Sequence, residues 1–330
     1  MADEPVDPRE VAWHPRHAQQ IVGHHEPKNR FEEAFKSGRP HHAWLMTGPS
    51  GIGKATLAYQ LAGHVLASGN PSQTRRWIAS RSHPEFCILE RGFNDAKPRK
   101  LRAETSVDEA RDFIGFFNRT SASGGWRVGL VDCADDLTME AANALLKLVE
   151  EPPVKALILL VCHTPGKLLR TLRSRCMRLP LETLSSQDTL AVVQALPLDP
   201  KPDPANLGMA AGLSGGRPGH ALQLLDNAGA KAFAGFLTLK RRDAAAQVAI
   251  GQKFSTRATA VQDFEIFMAL LLDWLAKQAT AAATLSRAAA LAELHSKLTR
   301  DGTIADGYNL DRRAAVIQAL AQVEDTLKAA

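Results

Sequence analysis

Cysteine is scarce: four in 330 residues, at positions 87, 133, 162 and 176, and none forms a Cys-x-x-Cys pair. That excludes a disulfide framework and a zinc ribbon, and leaves four small residues expected to be buried. No run of 18 or more apolar residues occurs, so a membrane-spanning helix is not expected. The opening MADEPVDPREVAWHPRH lacks the apolar core of a signal peptide, and the expected location is cytoplasmic. There is no internal repeat and no low-complexity tract. Charge of neither sign dominates: 40 Lys and Arg against 35 Asp and Glu give +5. A balance that mild fits acidic or nucleic-acid partners and plain solubility equally. With 45% hydrophobic and 23% charged residues, the chain is an ordinary globular one, long enough for two or three domains.

The first half alternates short apolar runs with helical patterns, which predicts a parallel sheet flanked by helices. Candidate strands are HAWLMTG (42–48), FCILE (86–90), WRVGLVD (126–132), ALILLVCH (156–163) and MRLPL (177–181). Helical stretches run from Lys54 to Ala67, from Ser106, and from about Thr138 until Pro152 and Pro153 stop it. Ser106 and Glu109 have the spacing of a capping box. After about residue 182 strand-like runs give way to alanine- and leucine-rich helical patterns. The segment 261–277 is apolar over a wide face, and 310–328 carries apolar residues at 310, 314, 317, 320, 321 and 327. Such faces must pack within their own domain or against a neighbour.

GPSGIGKAT (48–56) satisfies G-x-x-x-x-G-K, follows a predicted strand and opens a predicted helix. Gly48, Pro49, Ser50, Gly51, Ile52, Gly53, Lys54, Ala55 and Thr56 are the candidate nucleotide-binding residues. The glycines let backbone amides close round phosphate oxygens, the helix end adds its dipole, and Lys54 would neutralise the terminal phosphates. A glycine-rich turn that never meets phosphate is the alternative. Ala55 stands where a hydroxyl would hold magnesium, and Thr56, about 100° further round the helix, is poorly placed to replace it. Asp132 ends the strand 126–132 and can meet magnesium, or can simply be an acid at a strand end. Cys133 occupies the position of a water-orienting glutamate and cannot do that work. Asp135 and Asp136 are expected to begin a loop.

HAWLMTGPSGIGKATLA, VDCADDLTMEAANALLKLVEEPP and LLRTLRSRC together resemble the clamp-loader branch of the AAA+ ATPases. The resemblance covers most of the chain and implies a P-loop AAA+ domain (1–181), a small helical lid (182–240) and an all-α collar (241–330). It implies a largely non-hydrolysing member of a pentameric ring with ATPase and delta-type subunits. Such a ring opens a sliding clamp and places it on primed DNA during replication by DNA polymerase III. Arg175, in the Ser174-Arg175-Cys176 triplet, would be an arginine finger reaching the neighbour's phosphates in trans. A planar guanidinium suits that role. Thr164 falls where the family places a phosphate-sensing polar residue, though a threonine that merely ends a strand reads the same way. In the lid, Gly219 stands where active motors carry a nucleotide-touching arginine, and Arg217 lies two residues earlier, before Pro218.

The expected cofactor is ATP or ADP, bound without efficient hydrolysis, with magnesium left open. Zinc is not expected, because relatives that bind it use cysteines after the first helix and this chain has Cys87 alone there. The basic stretch AKPRKLRAE (96–104) suits DNA-backbone contact or a solvated loop, and lacks aromatic residues for base stacking. Two competing functions remain: a working ATPase motor subunit of the same assembly, and an unrelated P-loop kinase or transferase.

Overall fold

The computed structural model describes residues 7, 9–38, 40–67, 69–94, 100–119, 124–239, 243–254, 260–307 and 311–329, in two compact units. The first comprises Met1–Lys201 with Gly215–His220, the second Pro202–Ser214 with Ala221–Ala330.

In the first unit the elements run α1 (His25–Lys36), β1 (Ala43–Thr47), α2 (Lys54–Leu66), α3 (Pro71–Ala79), β2 (Phe86–Glu90), α4 (Val107–Phe117), β3 (Arg127–Asp132), α5 (Met139–Glu150), β4 (Ala156–Cys162), α6 (Arg170–Ser174), β5 (Met177–Pro180) and α7 (Ser186–Ala195). All five strands are parallel, in the order β2-β3-β4-β1-β5. Alternate residues of β1 enter opposite cores. Trp44 and Met46 pack with Phe31, Leu57, Leu61 and Ile78 on one face. Ala43 and Leu45 pack with Phe113, Phe117, Leu145 and Leu172 on the other. A parallel sheet covered on both sides explains why β4, ALILLVC, is apolar and buried at every position.

Polar groups set the boundaries. Ser106 and Glu109 close the expected capping box on α4, and Thr138 caps α5 by accepting from the Ala141 amide. Arg127 opens β3 as a buried cation. It bonds Glu85 at 3.0 Å, donates to the carbonyls of Phe116 and Arg119, and lies over the Phe116 ring. This satisfaction is what permits a guanidinium beneath α4.

Among the described residues the second unit has helices and no strand: α8 (Pro204–Leu213), α9 (Pro218–Leu224, whose first turn belongs to the first unit), α10 (Ala228–Thr238), α11 (Ala244–Gly251), α12 (Ala260–Thr280), α13 (Leu285–Gly307) and α14 (Arg312–Ala329). Its aromatic centre joins Phe233 and Phe236 of α10 to Phe267 and Trp274 of α12, with Phe254 against Phe267. Buried Asp263 accepts from the Asn227 side chain at 2.9 Å and holds the start of α10. The stripe on α14 is displaced from the sequence pattern. Val316, Ala319, Leu320 and Val323 are buried, Ala314 is exposed, and Ile317 sits against Gly251. Leu310 lies outside the described residues. No helix among the described residues is long and apolar enough to cross a membrane.

His14 sets a pH response in the first unit. Burial beside Tyr59, with Arg16 and Arg81 nearby, lowers its pKa to about 4. Its stabilising contribution is present above the unfolded value near 6.5 and is lost as pH falls towards 4. In equilibrium unfolding followed by tryptophan fluorescence, the stability difference between pH 7 and pH 4.5 is expected to shrink by about 1–2 kcal/mol in His14→Gln, after allowing for solvent screening.

Candidate functional site

The carboxyl ends of β3, β4 and β1 lie side by side, the edge where open parallel sheets bind ligands. The loop Gly48–Gly53 leaves β1 there and feeds α2. Gly48, Gly51 and Gly53 have φ of +144°, +80° and +102°, which a side chain would resist. Pro49 and Ser50 are exposed at its tip, and Ile52 is buried beneath it. His24, which no sequence motif marks, bonds the Ile52 carbonyl at 2.8 Å and props the loop from below. Burial lowers its pKa, against the effect of that carbonyl.

Lys54 is only 3% exposed. Its ammonium donates to the carbonyls of Gly48 and Pro49 at 2.7 and 2.6 Å, and burial lowers its pKa to about 8. Ala55 packs against the core cluster that holds α2, and Thr56 follows it, half-buried. The glycine backbone and the start of α2 fit a phosphate group. The magnesium corner of the site lacks its hydroxyl at residue 55.

Asp132 ends β3 as expected. Burial first, then Glu90 and Asp136, push its carboxyl up to about 6. Cys133 follows it, a buried thiol whose pKa rises through burial. Asp135 does more than begin a loop. Its carboxylate accepts the amides of His163 and Thr164 and the thiols of Cys133 and Cys162, clamping the end of β4 to the turn after β3. Burial works to raise its pKa, but these hydrogen bonds outweigh it and hold the carboxyl below the usual range. Thr164 is exposed beyond β4, with its amide 2.6 Å from Asp135 Oδ1.

The segment Gly215–His220 closes over the loop. The Gly219 amide donates to the Gly51 carbonyl at 2.9 Å, and a Cβ on Gly219 would lie 2.8 Å from Gly51 Cα. A glycine here lets two backbones touch. Beside the loop, a cavity of about 340 Å³ opens between the start of α1, β5 and α7, lined by His24, His25, Arg30, Leu179, Thr183 and Asp188 among others. Arg175 caps α6. It pairs with Glu150 at the end of α5 at 2.8 Å and donates to the Thr171 carbonyl, with its side chain 40% exposed. Lys97 and Arg99 of the basic stretch lie outside the described residues.

A five-stranded parallel sheet of order β2-β3-β4-β1-β5, with a P-loop between β1 and α2 and an acid ending β3, defines the P-loop nucleotide-binding class of α/β fold. Residues 23–185 match the family described as DNA polymerase III, delta subunit. The delta' subunit of Pseudomonas aeruginosa is 35% identical over 185 residues, 54% of this chain and 53% of that protein. The Escherichia coli delta' subunit is 33% identical over 198 residues, covering 58% and 56%. The gamma subunit of Buchnera aphidicola is 30% identical over 179 residues, covering 53% and 48%. Through residues 23–185 the chain is similar to subunits of DNA polymerase III, delta', gamma and tau among them. The chain spans about half the length of the curated relatives it matches.

Gly219→Ala forces the Gly215–His220 segment off the loop. Hydrogen exchange at the Gly219 amide is expected to lose protection by on the order of 10-fold or more, with a stability cost of about 1–3 kcal/mol. Undiminished protection would contradict the backbone contact.

Proposed function

We propose that this chain is a delta'-type subunit of the DNA polymerase III clamp loader, a ring member that does not turn over nucleotide itself and supplies Arg175 to a neighbouring ATPase subunit. The observation that carries this reading is the state of the loop. Ala55 rather than a hydroxyl follows its lysine, and a thiol, Cys133, stands in place of the water-orienting carboxylate. Gly48–Thr56 would still hold ATP or ADP, with Asp132 and Thr164 beside the phosphates. Magnesium would have only Asp132 to meet. The lid (182–240) and collar (241–330) complete the proposed organisation, the collar assembling the ring with ATPase and delta-type subunits. Sliding clamp and primed DNA are the proposed targets of the assembly, and the cytoplasm its place.

Arg175 suits delivery in trans. It is half-exposed and held by an ion pair of the kind that contributes little at a surface, so a stronger phosphate contact can displace Glu150. A motor subunit is the second reading, favoured by the 30% identity to a gamma subunit. Ala55, Cys133 and Gly219 count against it.

The test is reconstitution of Arg175→Ala with the partner ATPase subunits and primed DNA. Partner hydrolysis is expected to fall by roughly 10³-fold, and Arg175→Lys to restore little of it, since an ammonium lacks the planar fork. Unchanged partner hydrolysis would remove the finger assignment.

A further inference from the structure

At the ends of β3 and β4 stand four metal-binding groups that the proposed function leaves unused. Cys133 Sγ lies 2.7 Å from Asp135 Oδ2, and Cys162 Sγ lies 3.4 Å from Asp135 Oδ1. A ring nitrogen of His163 joins them, so that donor atoms of Cys133, Asp135 and His163 all fall within 4.8 Å of one another. Donors round a tetrahedral zinc ion, with bonds of about 2.0–2.3 Å, are about 3.3–3.8 Å apart. Small side-chain shifts therefore close these three donors on one ion, with Cys162 adjoining them through Asp135.

The backbone assembles this set. Val131 pairs with Leu160 across the two strands, and two residues further along each strand bring Cys133 level with Cys162. Asp135 is oriented by the amides of His163 and Thr164, as the outer shell of a metal site orients its ligands. His163 Nδ1 is buried with no hydrogen-bond partner, a state that a bound ion or water explains.

We propose that Cys133, Asp135 and His163, with Cys162 as fourth donor, bind a divalent transition metal of the zinc class. Two sulfurs, an imidazole nitrogen and a carboxylate oxygen match the preferences of zinc, whereas magnesium takes oxygen donors. The site is thus distinct from any magnesium contact at Asp132, and unrelated to the cysteine cluster whose lack argued against zinc. On binding, each thiol releases its proton to solvent, and metal–sulfur bonds replace the two S–H···O hydrogen bonds to Asp135. Two thiolates and a carboxylate round a divalent ion leave one net negative charge. Lys54, whose ammonium feels Cys133, Asp135 and Cys162, balances it. The ion would staple two neighbouring strands where a hydrolysing enzyme positions its attacking water.

The test uses the full chain, reduced and stripped of metal, titrated with Co²⁺ and followed by absorbance. Saturation at one equivalent is expected, with thiolate-to-cobalt charge-transfer absorption, intense tetrahedral d–d bands, and displacement of both by Zn²⁺. Cys133→Ser and His163→Gln should each weaken Co²⁺ binding by on the order of 100-fold or more. Cys87→Ser and Cys176→Ser should leave it unchanged. A wild-type chain without charge-transfer absorption overturns the proposal, and so does Co²⁺ binding of undiminished affinity in Cys133→Ser. If Cys133→Ser does not fold, His163→Gln, at a half-buried position, and the wild-type titration decide the matter.

Discussion

An ammonium withdrawn from water must be met by oxygen, and Lys54 is met by the carbonyls of the loop it ends. That requirement shapes the site. Gly48 and Pro49 must turn their carbonyls inward, which needs the positive φ of the glycines around them. The loop so formed offers its outer backbone to the Gly215–His220 segment, and the Gly219 amide takes the Gly51 carbonyl. In a phosphate-bound loop the lysine would turn to the anion instead. The same glycines and lysine are the parts that would grip phosphate.

The groups missing from the hydrolytic set have each acquired another use. Ala55 packs on the core beneath α2, where a bare methyl fits. Cys133 donates to Asp135, which in turn secures the start of the segment after β4. Gly219 lets two backbones meet where an arginine would hold them apart. These uses support the proposed subunit, whose contribution to chemistry would be made outside its own loop, at Arg175, which an ion pair with Glu150 tethers to α5.

Much of the first unit was legible because its signals are local. Buried parallel strands are short apolar runs between turns, and all five lie within a residue of their expected ends. The Ser106 capping box and the Thr138 cap depend on residues three apart. Asp135 was read as a loop acid because its partners, His163 and Thr164, are about thirty residues away and linked only by strand register. His24 carries no spacing signature, since its role is a single bond to Ile52. On α14 the buried set is Val316, Ala319, Leu320 and Val323, at i, i+3, i+4 and i+7; the expected stripe shares Leu320 with it and lies otherwise to one side, where Ile317 packs on Gly251.

Steady-state ATP hydrolysis by the purified chain, with primed DNA present and partner subunits absent, tests the central claim most directly. The account predicts no turnover above the uncatalysed background, because neither magnesium nor the attacking water finds its ligand at residues 55 and 133. Turnover of about 1 per second or faster, the lower range for phosphoryl-transfer enzymes, would contradict it and make the chain a motor.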